Sequence, residues 1–235
     1  MKNKVLNTAK FLEQILNQYR ERITLVTSLG LEGTVVLDMI SKIGQKTTEK
    51  YSVVILDTGR LHNETYQYIS FIIDEYKENL DFKIFFPEAQ NVEKYVNQYG
   101  INGFRESVEN RKECCHIRKV EPLQRALKSC DAWITGLRNG QSDTRNNLKN
   151  IEDDFVNPGK KKINPLADWT EEEVWEYIKE NKIEINPLFY EGYSSIGCAC
   201  CSNKTCRWDH IRSGRWRWEA PSEQKECGLH GGCKK

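Results

Sequence analysis

Ile23-Thr24-Leu25-Val26-Thr27-Ser28-Leu29-Gly30-Leu31-Glu32-Gly33 is the stretch on which the fold turns. Its first five residues read as a short strand, the next six as a glycine-containing turn, and Thr34 to Ile43 as a helix. A strand that runs through such a turn into a helix exposes backbone N–H groups and the positive helix end, which together bind an anion well. Ser28, Gly30 and Gly33 are the candidate contacts, with the Ser28 hydroxyl as an added donor. A plain strand–helix turn without any ligand satisfies the same pattern, because a short glycine motif is a weak signal alone.

The flanking sequence repeats the theme. Residues 8–21 carry Phe11, Leu12, Ile15 and Leu16 at helical spacing. Ser52 to Leu56 reads as a buried strand ending in Asp57-Thr58-Gly59-Arg60, followed by a helix from Asn63 to Lys77 and a strand from Phe82 to Phe86. Residues 110–128 look helical, and Ala132 to Thr135 is a further strand ending in Gly136-Leu137-Arg138. Strands alternating with helices predict an α/β fold with one parallel sheet. Ligands of open α/β sheets collect at the C-terminal strand ends. The polar turns there make Asp57, Thr58, Gly59, Arg60, Gly136 and Arg138 candidates for a nucleotide or phosphate site, with Lys119 and Arg145 as further cations. Asn139 to Lys162 is polar and reads as a long loop. Thr170 followed by Glu173 predicts a helix start. The expected organisation is an α/β nucleotide-binding body over residues 1–190 and a Gly-, Cys- and Trp-rich segment over 191–235 that docks on it.

The 235 residues contain 35 Lys plus Arg against 34 Asp plus Glu, a balance that gives no reason to expect nucleic-acid binding. No apolar run approaches the roughly 20 residues of a membrane helix, and the N-terminus does not read as a signal peptide. A cytoplasmic, reducing compartment is therefore expected, where cysteines serve metals or catalysis more often than disulfides. There are nine, an odd number. Cys114-Cys115 and the Cys-x-x-Cys pair Cys198 and Cys201 supply four thiols, which suit either zinc or a four-iron cluster. Arg111, Lys112, Arg118 and Lys119 surround the first pair. Cys200, Cys206 and Cys233 compete as ligands, and Cys130 sits in an apolar, core-like setting. Further on, Arg212 and Arg215 precede Glu226-Cys227-Gly228-Leu229-His230. Arginines near a cysteine favour its thiolate and attract an anionic substrate. The neighbouring tryptophans need a surface to dock on.

Taken together these motifs resemble the assimilatory sulfonucleotide reductases, nearly end to end. Ser28 to Gly33 is similar to that family's modified PP-loop, Leu56 to His62 and Trp133 to Arg138 to its nucleotide-site strand ends, Cys114 to Lys119 and Gly197 to Cys201 to its cluster motifs, and Glu226 to His230 to its catalytic tail. The resemblance implies an adenine nucleotide alpha hydrolase-like fold with a mobile C-terminal tail. It implies a [4Fe–4S] cluster on Cys114, Cys115, Cys198 and Cys201. It also implies reduction of adenosine 5′-phosphosulfate (APS) to sulfite and AMP, through an S-sulfocysteine on Cys227 that thioredoxin resolves. Cys227, His230 and Lys119 would then serve the chemistry, and Ser28, Arg138, Arg212 and Arg215 would contact the substrate anion. A homo-oligomer is compatible with all of this.

Three departures stand out. Cys200 turns the second cluster motif into Cys-x-Cys-Cys, Arg217 replaces the family's usual tryptophan, and Cys233 lies six residues past Cys227, a spacing that would let the two form a disulfide. The nearest alternative is reduction of 3′-phosphoadenosine 5′-phosphosulfate (PAPS), alone or beside APS. The cysteine pairs favour APS, since PAPS-specific relatives usually lack them. A PP-loop thiolation enzyme would carry a fuller Ser-Gly-Gly-x-Asp-Ser loop, and a zinc-stabilised binding module would tolerate loss of Cys227.

Overall fold

The computed structural model describes residues 1–141, 147–206, 208–219 and 227–230. Six strands form one sheet in the order β3-β2-β1-β4-β6-β5: β1 (Ile23–Thr27), β2 (Tyr51–Leu56), β3 (Leu80–Phe85), β4 (Ala132–Ile134), β5 (Ile151–Asp153) and β6 (Lys161–Ile163). Every pairing is parallel except β5 with β6. All five residues of β1 are buried, as expected for a central parallel strand covered on both faces.

Alternation along the strands builds two cores. Leu25, Val53, Ile55 and Ile134 point to one face, where they meet α1 (Lys2–Tyr19), α2 (Leu31–Thr47), α3 (Asn63–Tyr76) and α7 (Glu171–Asn181). Their neighbours Val26, Val54 and Trp133 point to the other, against Leu123 and Leu127 at the end of α6 (Glu121–Ala126). A third, smaller cluster gathers Phe104, Cys115, Cys198, Cys201 and Trp216, and so packs the C-terminal segment onto α5 (Val108–Cys115).

Parts of this differ from the sequence reading. The polar stretch from Asn139 to Lys162 is not all loop: it contains β5 and the start of β6, an antiparallel pair at the sheet edge. α4 (Ala89–Tyr99) has no counterpart among the expected elements; only Tyr95 of its eleven residues is buried, so its apolar signal is thin. The expected helix over 110–128 is three pieces, with a π-helical turn at His116–Val120 between α5 and α6. The start of α7 is as expected, with a full capping box: Thr170 Oγ1 accepts from the Glu173 N–H (3.2 Å) and Glu173 Oε2 from the Thr170 N–H (2.8 Å).

Candidate active site

The chain leaves β1 toward β2 on one side, and β4 lies on the other. A crevice must open beyond the C-terminal ends of β1 and β4, at this switch of direction. A cleft of about 230 Å³ lies there. Ser28, Gly30 and Gly33 form its floor at the start of α2, Thr58 and Gly136 its strand-end walls, and Arg138, Arg212, Arg215 and Lys119 its cations. Cys227 and His230 close it from the C-terminal side.

The turn into α2 departs from the expected role of its glycines. Leu29, fully buried, is the residue with positive φ (55°), while Gly30 is extended (φ −74°). The Leu29 N–H is held by Thr27 Oγ1 at 2.9 Å. Glycine matters here for close approach. A side chain on Gly33 would collide with the Thr27 hydroxyl, and one on Gly136 would come within 2.7 Å of the Gly33 nitrogen, so the turn after β4 and the start of α2 approach backbone to backbone.

Arg138 is buried and engaged by two carboxylates: its Nε donates to Glu32 Oε1 (2.8 Å) and its Nη2 to Glu171 Oε2 (3.1 Å). Neither glutamate was expected at the site. Asp57 and Gly59 line neither cavity described here. The Asp57 carboxylate accepts from the Gly59 N–H (2.7 Å) and the Tyr66 hydroxyl (3.0 Å), and thus shapes the turn. Arg60 points away from this cleft: it donates to Ile101 O (2.7 Å) and Asn102 Oδ1 (3.0 Å) and lies over the Phe104 ring.

Arg60 instead lines a second cavity with Cys114, Cys115, Cys198, Cys200 and Cys201. The adjacent Cys114 and Cys115 end α5, where the backbone widens into the π turn that carries Arg118 and the partly buried Lys119. Cys198 and Cys201 flank a 3₁₀ turn, with Cys198 Sγ 3.3 Å from Thr58 Oγ1. The five thiols of this cavity could hold a metal group, and Cys200 Sγ lies 3.7 Å from Cys201 Sγ. Among the described residues no three His, Cys, Asp or Glu side chains converge on a point that would hold a single ion.

Positive charge dominates this second cavity, through Arg60, Arg111, Arg118, Lys119 and Arg215. The Cys198 thiol is held well below its ordinary pKa by a hydrogen bond from Cys201, against the pull of burial, with Lys119 and Arg215 adding to the effect. Burial pushes the Cys115 thiol up to about 12, with Lys119 opposing. Burial pulls the Lys119 ammonium down, but the neighbouring Cys198, Cys227 and Cys115 outweigh it and hold its pKa above the ordinary lysine value. Lys119, Arg215 and Trp216 line both cavities. Trp216 is fully buried with the guanidinium groups of Arg111, Arg215 and Arg212 at 4.5, 4.9 and 5.7 Å from its ring, and its Nε1 has no hydrogen-bond partner among the described residues. Behind it, Arg111 and Glu219 form a fully buried pair at 2.7 and 3.0 Å.

Cys206 is exposed and Cys130 is buried in the core beneath β1 and β4. Arg217 donates to Lys204 O. Arg145 and Cys233 lie outside the described residues.

Residues 22–204 match the phosphoadenosine phosphosulfate reductase domain. The chain belongs to this family. Within the reductase family it is 42% identical over 221 residues to an adenosine 5′-phosphosulfate reductase from Allochromatium vinosum, covering 94% of this chain and 83% of that one. It is 43% identical over 224 residues to the reductase of the same name from Burkholderia cepacia, covering 93% and 86%. The crystal structure of a PAPS reductase from Candida auris, a phosphate complex, superposes with a TM-score of 0.66 at 29% identity, covering 82% of this chain and 88% of that one. Yeast FAD synthetase shares the fold alone, with a TM-score of 0.60 at 16% identity. Among the described residues, no helix of this reductase-family chain is long and apolar enough to cross a membrane.

Proposed function

We propose that the protein is an oxidoreductase of sulfate assimilation that reduces APS to sulfite and AMP at the expense of a thioredoxin-type dithiol. One placement carries the reading: the Cys227 thiol lines the same cleft as the N-terminus of α2 and the half-buried Lys119. Relatives above 40% identity are named for this activity.

The chemistry follows from the residues. A nucleotide phosphate would seat on the backbone N–H groups around Ser28 to Gly33, where the α2 dipole favours negative charge. The sulfuryl oxygens would repel an incoming thiolate, and Lys119, Arg212 and Arg215 offset that repulsion. The Cys227 thiolate attacks the sulfur, an S–S bond forms, the S–O bond to phosphate breaks, and AMP departs with the electron pair. A thioredoxin thiolate then attacks Cys227 Sγ. Sulfite leaves with the S–S bonding pair, and the second thioredoxin thiol displaces Cys227 from the mixed disulfide, so the dithiol supplies both electrons. The body to residue 190 holds the nucleotide in this scheme, and residues 191–235 bring two of the cysteines and the nucleophile.

Cys114, Cys115, Cys198 and Cys201 suit a [4Fe–4S] cluster: four thiols in one buried cavity, five cationic side chains to balance a thiolate-rich group, and an unpartnered Trp216 N–H beside them. Bound there, a cluster would supply a rigid tie between two distant segments and a fixed charge near Lys119, and no electron in the steps above comes from it.

The test is anaerobic, thioredoxin-dependent sulfite release from iron-loaded protein, with APS and PAPS compared at equal concentration and Cys227→Ser as control. The reading expects strong preference for APS and no sulfite from Cys227→Ser, which still binds iron and AMP. Comparable or faster turnover of PAPS would move the substrate assignment to the 3′-phosphorylated nucleotide. Normal turnover by Cys227→Ser would overturn the mechanism.

A further inference from the structure

The catalytic tail needs a surface that fixes where its thiol stands, and the described structure contains one away from the cysteine cavity. Leu229 packs on the core cluster of Val26, Val54, Leu123, Leu127 and Trp133. The His230 ring lies parallel to the Trp133 indole, 5.7 Å between centroids at 5°, in the offset-stacked range. Between this anchor and Cys227 stands Gly228 at φ 82°, a backbone state that other residues adopt at a cost. The seat of residues 229 and 230 therefore constrains the position of the thiol from one side, while the Cys227 side chain packs against the Phe104 and Trp216 cluster on the other.

The plane of Trp133 is in turn held from the loop between β5 and β6. Trp133 Nε1 donates to Asp154 Oδ2 at 2.7 Å, and both side chains are buried. The same carboxylate accepts from the Val156 N–H (2.9 Å), the Asn157 N–H (3.2 Å) and Asn157 Nδ2 (2.7 Å). Four donors on one buried carboxylate leave its orientation little freedom, and hydrogen bonds to a charged acceptor are the stronger kind.

We infer that Asp154 is a positioning residue for the reductase tail: it orients Trp133 so that His230 and Leu229 dock and Cys227 is presented to the cleft. The inference rests on the reading of Cys227 as nucleophile for its catalytic consequence, but not for the docking itself. In Asp154→Asn one acceptor oxygen becomes a donor, so two of the four bonds are lost whichever way the amide turns, and the hold on the indole is weakened.

The experiment measures, on iron-loaded protein with AMP bound, the rate at which iodoacetamide alkylates Cys227, mapped by mass spectrometry. Asp154→Asn is expected to raise that rate about fivefold, the scale of losing one aromatic stack, while AMP affinity stays within about twofold. His230→Ala should raise it similarly, and the double variant no further, because both act on one contact. In steady state kcat should fall with KM for APS nearly unchanged. An unchanged alkylation rate in Asp154→Asn, or a double variant whose effect is the product of the two singles, would overturn the inference. If Asp154→Asn loses its iron or its fold, Trp133→Phe keeps an aromatic plane without the N–H. It should give about a twofold rise, and no rise would count equally against the proposal. Failure of the unaltered protein to form an S-sulfo adduct on Cys227 from APS would strike the nucleophile reading instead, and leaves the alkylation comparison intact.

Discussion

At the scale of single residues, the Arg111–Glu219 pair shows how the C-terminal segment is held. Both side chains are fully buried, so removing the carboxylate takes a buried, bidentate partner from the guanidinium. Breaking a buried pair from one side costs about 3–5 kcal/mol. Glu219→Ala should therefore lower the melting temperature by about 6–20 °C for a chain of this length, at about 2–4 °C per kcal/mol. A drop under about 2 °C by differential scanning fluorimetry would show that Arg111 finds another partner. The sequence offered Arg111 as a charge beside Cys114 and Cys115, but nothing at Glu219 marked it as its partner, because 108 residues separate them and ion pairing across that distance has no local signature. Glu32 and Glu171, which occupy Arg138, were hidden for the same reason. Their positions read as an ordinary first-turn acidic residue of α2 and of α7, where the helix dipole favours them anyway.

At the scale of elements, legibility followed the strength of the local hydrophobic pattern. β1, β2 and α3 lie within one residue of where the sequence put them, since apolar runs bounded by polar turns admit few other readings. β5 and β6 are three residues each and rich in Lys, Asp and Glu; their pairing depends on the sheet edge that β4 offers, so the segment looked like loop. The π turn at His116–Val120 has no sequence pattern to betray it, although it is what sets the cysteine pair beside Lys119. The contact of the turn after β4 with α2 yields a prediction at this scale. Gly136→Ala would put a methyl 2.7 Å from the Gly33 nitrogen and 3.0 Å from the Glu32 carbonyl carbon, and both obstacles are backbone. The turn at Ser28 to Gly33 must then shift. AMP affinity should fall at least about tenfold, equal to 1.4 kcal/mol, while the cysteine cavity keeps its iron. Unchanged AMP affinity by calorimetry would show that the turn is not the phosphate site.

At the scale of the whole molecule, two cysteine pairs more than 80 positions apart in sequence meet in one cavity, and that cavity shares Lys119, Arg215 and Trp216 with the nucleotide cleft. The motifs themselves were plain in the sequence. Their mutual arrangement was not, and Arg60 illustrates it: as a strand-end arginine it belonged with the nucleotide, yet its side chain reaches the cysteine side. Cys198→Ala is expected to lose iron and sulfite production together, measured as iron content and turnover of the purified protein. Retention of a full iron complement would move the ligand role to Cys200, whose sulfur already lies 3.7 Å from that of Cys201. Leu229 and His230, finally, are part of the wall of the nucleotide cleft itself. Occupancy of the cleft and seating of the tail are therefore linked equilibria, and reciprocity fixes their relation: whatever factor a bound nucleotide contributes to closing the tail, the closed tail must return to nucleotide affinity. On the proposed reading, product AMP and the unseated tail would be coupled without any signal passing between distant sites, and the nucleotide left behind after sulfur transfer would set how readily the loaded cysteine becomes available to a dithiol.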